Sequence, residues 1–214
     1  MTEKVKKNKT IRAWVTQHIN DHYVNQAQVD GYRSRAAYKL LEIEEHDKIF
    51  HNAQTIVDLG SAPGSWSQVA ITKVGKKGLV IGVDLLEMAP IPRVEFIHGD
   101  FTTAATLDKL LALINHQPVD LIISDMSPNI SGVKVVDQAR SAYLSELVFD
   151  FAVQYLKPNG HCLIKVFHGE EFEQLVKQAR KLFTQVAVRK PLASRSKSSE
   201  LYLLCKNKKA ATAS

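Results

Sequence analysis

Thr55-Ile-Val-Asp-Leu-Gly-Ser-Ala-Pro-Gly-Ser-Trp66 is the stretch on which the reading of this chain turns. Thr55 to Leu59 is a short, apolar, β-branched run of the kind that forms a fully buried strand. Gly60-Ser-Ala-Pro-Gly64 then demands a tight turn with bare backbone. Ser65 or Ser67 is expected to N-cap a helix running through Trp66, Val69 and Ala70 to about Lys73. Strand, glycine-rich turn and helix make the opening βα unit of a nucleotide-type α/β fold, with the ligand above the strand's carboxyl end. The spacing narrows that ligand. Ala62 occupies the second glycine position of a dinucleotide fingerprint, and no Gly-Lys follows as a phosphate-binding loop requires. A ligand with a ribose and no phosphates is therefore expected. A bare strand-turn-helix without a ligand is the alternative, since such turns recur in α/β folds.

Working outward, the alternation of strands and helices is regular. Upstream, Ile11, Trp14, Val15 and Ile19 follow helical spacing until Gly31-Tyr-Arg-Ser34 breaks it. Ser34 is expected to cap a second helix with Ala37, Leu40, Leu41 and Glu44 along one face, Lys39 lying one position off that face. Downstream, apolar strands are expected at Leu79–Val83 (ending at Asp84), Val94–Ile97 and Val119–Ile123 (ending at Ser124-Asp125). Helices are marked by Leu107, Leu110, Leu111 and Ile114, and by Leu144, Leu147, Val148, Phe151, Ala152 and Tyr155. Lys157-Pro-Asn-Gly160 stops the second of these. His161–Phe167 is a fifth strand, Phe172 to Phe183 another helix, and Gln185–Val188 and Leu201–Cys205 the last strands, joined by the loop Lys190–Ser199. The pattern predicts an α/β fold with a mostly parallel sheet covered on both faces.

Length and composition agree with a single domain. A chain of 214 residues with 45% hydrophobic and 23% charged residues can bury roughly 70% of its unfolded surface. Residues 11–206 are expected to form the domain, with helices over about 11–45 preceding the α/β core. Basic tails flank it at 1–10 and 207–214. No apolar run approaches ~18 residues, so no membrane span is expected, and the lysine-rich start lacks the apolar segment of a secretion signal. Cys162 and Cys205 sit in apolar strands without metal-ligand spacing. They fit small buried residues of a reducing compartment, hence a cytoplasmic protein without a metal. The formal charge is +6. Residues 1–10 and 205–214 each carry a net +3, which leaves the interior neutral. Within it Arg33, Arg35 and Lys39 cluster, as do Arg189, Lys190, Arg195 and Lys197. Such clusters suit RNA phosphates, although basic tails also serve solubility alone.

Carboxylates at strand ends add chemistry. Asp84 ends the second strand, where it can accept hydrogen bonds from both ribose hydroxyls, and Asp100 follows the third, where it can meet an adenine amino group. Two such aspartates beside the glycine turn point to an adenosine moiety, and the missing pyrophosphate site favours S-adenosylmethionine over NAD or ATP. Lys165, inside Leu-Ile-Lys-Val-Phe, is rarely tolerated in an apolar strand without a partner, and Asp125 at the neighbouring strand's end can supply one.

Five segments together resemble a known family. Ser34-Arg-Ala-Ala-Tyr-Lys-Leu-Leu-Glu42, Asp58-Leu-Gly-Ser-Ala-Pro-Gly-Ser-Trp66, Asp125-Met-Ser-Pro-Asn-Ile-Ser-Gly132, Lys165-Val-Phe167 and Arg195-Ser-Lys-Ser-Ser-Glu200 are similar to successive motifs of the bacterial FtsJ/RrmJ (RlmE) ribosomal RNA 2′-O-methyltransferases. The resemblance runs from about residue 10 to residue 206. One position departs: the family commonly has a second glycine where Ser65 stands. The resemblance implies a Rossmann-like, S-adenosylmethionine-dependent fold with a seven-stranded sheet. It also implies methylation of a uridine ribose in the A-loop of large-subunit (23S) ribosomal RNA, expected on the assembled 50S subunit; a monomer without an obligate protein partner is a separate expectation. The family's catalytic Lys-Asp-Lys-Glu tetrad falls on Lys39, Asp125, Lys165 and Glu200. Gly60, Gly64, Trp66, Asp84, Asp100 and Asp125 are the expected cofactor contacts. Arg33, Arg35, Arg195 and Lys197 are the expected RNA contacts.

For such a transfer the protein must orient a ribose hydroxyl and dispose of its proton. Lys165 is the candidate base. Desolvation and the Lys39 ammonium favour its neutral form, while Asp125 and Glu200 oppose it. Alternatively it stays charged and steers the hydroxyl. Other functions compete. A base-amino methyltransferase would carry an aromatic in Asp125-Met-Ser-Pro-Asn129 to stack a flipped base, and none is there. Ribose methylation of transfer RNA or another RNA, a non-catalytic ribosome-assembly factor and a small-molecule methyltransferase remain open.

Overall fold

The computed structural model describes residues 21–128, 131–169, 171–195 and 198–210. The expected helix over Ile11–Ile19, the basic segment 1–10 and Lys197 lie outside them. Six described helices and seven strands alternate: α1 His22–Val29, α2 Ala36–Asp47, β1 Thr55–Leu59, α3 Ser65–Lys73, β2 Leu79–Asp84, β3 Val94–His98, α4 Ala104–Leu113, β4 Val119–Ser124, α5 Lys134–Tyr155, β5 Leu156–Phe167, α6 Phe172–Leu182, β6 Phe183–Arg189 and β7 Glu200–Lys208. The sheet runs β3-β2-β1-β4-β5-β7-β6. β1 pairs in parallel with both β2 and β4, so strand order reverses between β1 and β4, where open α/β sheets bind ligands. β7 runs antiparallel between β5 and β6.

The central strands β1, β2 and β4 are mostly apolar because both faces are covered, whereas the edge strands β3 and β6 expose Glu95, Thr184 and Gln185. Val57, Leu59, Ile81 and Ile122 pack with Leu110, Phe149 and Leu175 on one side. Ile56, Val80, Ile123 and Leu204 pack with Leu40, Ile43, Trp66 and Val69 on the other. Cys162 and Cys205 are buried free thiols in register across β5 and β7.

Several local expectations change, among them the start of β5, which lies at Leu156 and takes in Lys157–Gly160 instead of beginning at His161. Neither Ser65 nor Ser67 caps α3: Gly64 is the N-cap residue, Ser65 is the first helical one, and the Ser67 hydroxyl bonds Asp58. Likewise Arg35, not Ser34, precedes α2; Ser34 Oγ accepts from the Ala36 N–H and shares a 2.6 Å hydrogen bond with Ser65 Oγ. Leu41 is only partly buried, whereas Lys39 is inside. Finally α5 starts at Lys134, ten residues before its apolar stripe. The exposed Val135 and Val136 hide that first part from a periodicity reading. Its entry is held by the Asp137 carboxylate, which accepts from Ser131 N, Ser131 Oγ and Gly132 N.

The carboxyl-terminal tail is also shorter than expected, since β7 extends to Lys208. Lys206 Nζ donates to Asp47 O at the end of α2, Lys208 Nζ to Val153 O and Leu156 O at the end of α5, and Lys209 Nζ to Arg180 O in the last turn of α6. Helix carboxyl ends carry unsatisfied carbonyls and partial negative charge. Three lysines that looked like solubilising charge therefore hold three helix ends.

Candidate active site

The carboxyl ends of β1, β2 and β4 open on a cavity of about 590 Å³, within the range of small-molecule sites. Gly60, Ala62, Asp84, Asp100, Asp125 and Met126 line it, with Tyr143, Leu144 and Leu147 of α5 as a wall. Gly60 has φ +76°, and a Cβ there would lie 2.1 Å from Met126 Cγ, so only glycine fits this turn. Asp84 accepts the Ala62 N–H through Oδ2 and the Leu86 N–H through Oδ1, both at 2.8 Å. The carboxylate thus fastens the β1 and β2 loops to each other and keeps lone pairs for the cavity. Asp100 Oδ1 accepts from Thr102 N and Thr102 Oγ1.

Two expected cavity residues are placed differently. The Trp66 ring is buried; its Nε1–H donates to Ala36 O and its centroid lies 5.6 Å from that of Tyr202. At Gly64 (φ +109°) a Cβ would meet Ile91, Arg33 and Met88 within 2.8 Å. Neither side chain position lines the cavity, so both can serve a ligand only through backbone groups. Beneath the turn, the wholly buried Asp58 accepts from Ser67 Oγ at 2.7 Å, while Asp58 Oδ1 and Ser61 Oγ have no partner.

Beside the cavity the four tetrad residues come together. Ser124 pairs with Ile164 across β4 and β5, which sets Asp125 beside Lys165, and Lys165 pairs with Tyr202 across β5 and β7. Lys165 Nζ lies 2.7 Å from Asp125 Oδ1, 2.8 Å from Asp125 O and 3.0 Å from Ser127 Oγ. An ammonium has three N–H donors, and all three are engaged. Tyr202 Oη donates to Asp125 Oδ1 at 2.6 Å and accepts from Lys39 Nζ at 3.1 Å. Lys39 Nζ in turn pairs with Glu200 Oε1 at 2.7 Å. The cluster is one chain, Lys165–Asp125–Tyr202–Lys39–Glu200, in which each lysine has its own carboxylate. Tyr202 is the member that sequence reasoning missed. Its hydroxyl is raised well above the usual tyrosine range, first by burial and then by the Asp125 and Glu200 charges, so it stays a neutral connector.

Lys39 and Glu200 are far apart in sequence and are brought together by a strap. Along α2, Arg189 makes two 2.7 Å bonds to Asp47, the Leu192 N–H is held by both Glu42 oxygens, and Arg35 grips Ala193 O. Asp21 pairs with Arg35 and reaches Arg195 Nε at 3.9 Å. Arg33 has another occupation than the expected RNA contact. Its guanidinium donates to Pro63 O, Ala89 O and Pro90 O, tying the glycine turn to the loop after β2.

The family model for FtsJ-like methyltransferases matches residues 32–208. The chain belongs to the FtsJ-like methyltransferases. Among its methyltransferase relatives, Ribosomal RNA large subunit methyltransferase E of Methylobacillus flagellatus is 54% identical over 200 residues, covering 94% of this chain and 97% of that protein. The protein of the same name from Pseudomonas aeruginosa strain PAO1 is 53% identical with the same coverage. A crystal structure described as a ribosomal RNA methyltransferase from Plasmodium falciparum matches with a TM-score of 0.74 at 33% identity, over 83% of this chain and 98% of that one. The fold is thus that of an FtsJ-like methyltransferase. No described helix is long and apolar enough to cross a membrane.

Proposed function

We propose that this methyltransferase transfers a methyl group from S-adenosylmethionine to a ribose 2′-hydroxyl of large-subunit ribosomal RNA. The observation that carries this reading is the five-residue chain from Lys165 to Glu200, set at the edge of a cavity with two strand-end aspartates and no phosphate cradle. The names of its relatives support the RNA class.

Asp84 and Asp100 would hold the ribose and the adenine, and Gly60 lets the backbone approach them. Bound there, S-adenosylmethionine supplies a methyl group on a sulfonium, a leaving group that needs no activation. Asp125 and Lys165 orient the hydroxyl. Lys165 is assigned the role of a positioned ammonium, because oxygen acceptors take all three of its N–H donors. Its charge stabilises the oxygen as the proton leaves. The two bonds to Asp125's side chain both use Oδ1, so Oδ2 is the acceptor assigned to the hydroxyl proton. Lys39 and Glu200 hold Tyr202, and through it the Asp125 rotamer. Arg35, Arg195 and Lys197 are the assigned phosphate contacts, the first two standing together around Asp21.

Mapping ribose methylations in ribosomal RNA from cells with and without this protein tests the reading. One position should lose its methyl group; an unchanged map would refute it. Incubation of isolated subunits and of protein-free RNA with labelled cofactor decides which is the substrate.

A further inference from the structure

Beside the strap lies a groove that the proposed reaction leaves unused. It has a volume of about 360 Å³ and is lined by Tyr23, Tyr38, Leu41, Glu45, His46 and Leu192. Its aromatic wall is continuous, for the Tyr23 and Tyr38 rings lie 5.5 Å apart and the Arg35 guanidinium covers Tyr23 at 5.6 Å. Leu192, 81% exposed, lines the same groove, its N–H held by Glu42 and the next carbonyl, Ala193 O, by Arg35. An apolar side chain presented to water on a fastened segment is a preformed wall. The exposed Glu45 and His46 stand at the rim.

Aromatic and aliphatic side chains lining one groove suit a flat heteroaromatic ring. A carboxylate at the rim repels phosphate but accepts hydrogen bonds from an exocyclic amino group. Arg35 and Arg195, grouped around Asp21 at the groove's end, offer the complementary charge for a backbone. Position completes the case. Tyr38 precedes Lys39, which turns the other way into the catalytic chain, so groove and chain share the first turns of α2.

We infer that this groove seats an unpaired, amino-bearing nucleobase of the RNA, close in sequence to the nucleotide that is methylated. The inference rests on the reading of the chain as an RNA ribose methyltransferase. It assigns Tyr23, Tyr38 and Leu192 to stacking and Glu45 to the base edge. A seated neighbour fixes the register of the strand, so the correct ribose reaches Asp125 and Lys165.

Two measurements on the full-length protein test it. The double variant Glu45→Ala with Leu192→Ala should raise KM for the RNA about tenfold, the scale of one lost stacked base. Cofactor affinity and the salt dependence of RNA binding should match the wild type, since no phosphate contact is removed. A photoreactive benzoylphenylalanine at position 192 should crosslink to a base near the methylated nucleotide. An unchanged KM, a flattened salt dependence, or a crosslink to a ribosomal protein or to residues 1–20 of this chain would overturn the assignment. If the wild type itself methylates no ribose, the proposed function fails first, and that outcome is distinguishable from a wild-type-like double variant.

Discussion

Asp58 should make the stability of this protein fall as pH rises from about 4 to about 7. It sits in β1 wholly out of water, with one oxygen bonded to Ser67 and the other without a partner. Burial pushes its carboxyl up from 3.8 to about 7, against the Ser67 hydrogen bond and with added repulsion from Asp125 and Asp84. The unfolded chain releases this proton near 3.8. Between the two values the folded state binds a proton that the unfolded state has lost, so folding gains from protonation there. That contribution is fully present below about 3.8 and is lost as pH rises through about 7. At 1.36 kcal/mol per pH unit, the separation is worth about 4 kcal/mol, a large part of an ordinary domain's stability. Asp58→Asn keeps the shape and removes the titration. Urea denaturation of both proteins without cofactor, from about pH 4 to about pH 8, is the measurement. The variant should gain about 4 kcal/mol relative to the wild type across that range. A stability difference that stays constant with pH would show that Asp58 is ionised in the folded protein and refute the argument.

Three more outcomes are expected. Lys165→Ala should lower single-turnover methylation by about 10²–10⁴-fold with cofactor affinity kept, while Lys165→Arg should recover at least about tenfold of that loss, because a fixed cation is what the site uses; an arginine variant as slow as the alanine one would return Lys165 to the role of base. Asp84→Ala should weaken S-adenosylmethionine binding by about 1.5–3 kcal/mol in calorimetry, since ribose and two loop N–H groups lose their acceptor together; unchanged affinity in a folded variant would remove Asp84 from the site. Arg33→Ala should destabilise the fold by about 1–3 kcal/mol and leave the salt dependence of RNA binding alone, because its donors serve three carbonyls; a flatter salt slope would restore it as a phosphate contact.

Every strand was located in the sequence as a short apolar run between turn formers. Strands β5 and β6, however, begin earlier than expected, at Leu156 and Phe183, because Lys157–Gly160 and Phe183-Thr184 read locally as a helix stop and a helix end. The strand-end aspartates were legible too, for they fall where open α/β sheets bind ligands. The order of the last two strands was not legible, since insertion of β7 between β5 and β6 leaves no local trace. Helix caps were misassigned where serines had tertiary partners instead: Ser67 took Asp58, and Ser34 took Ser65. Lys39 resembled a solvated lysine because its partners, Tyr202 and Glu200, are over 160 residues away. Tyr202 escaped notice for the same reason, a tyrosine in an apolar strand being ordinary core until its hydroxyl is seen between two charges. Arg33 and the carboxyl-terminal lysines show the converse: charge on a sequence does not tell solvent from a carbonyl.

The late insertion of β7 sets an order of assembly during synthesis. Once Leu147 has been made, the growing chain carries every residue that lines the main cavity. It still lacks Tyr202, Glu200 and the lysines that hold the ends of α2, α5 and α6. The chain from Lys165 to Glu200 can close only once the final strand lies between β5 and β6. An incomplete product, whether still being translated or cut short, would carry the cavity residues without the means to use them. Quality control is thereby written into the topology: methyl transfer waits for the last strand.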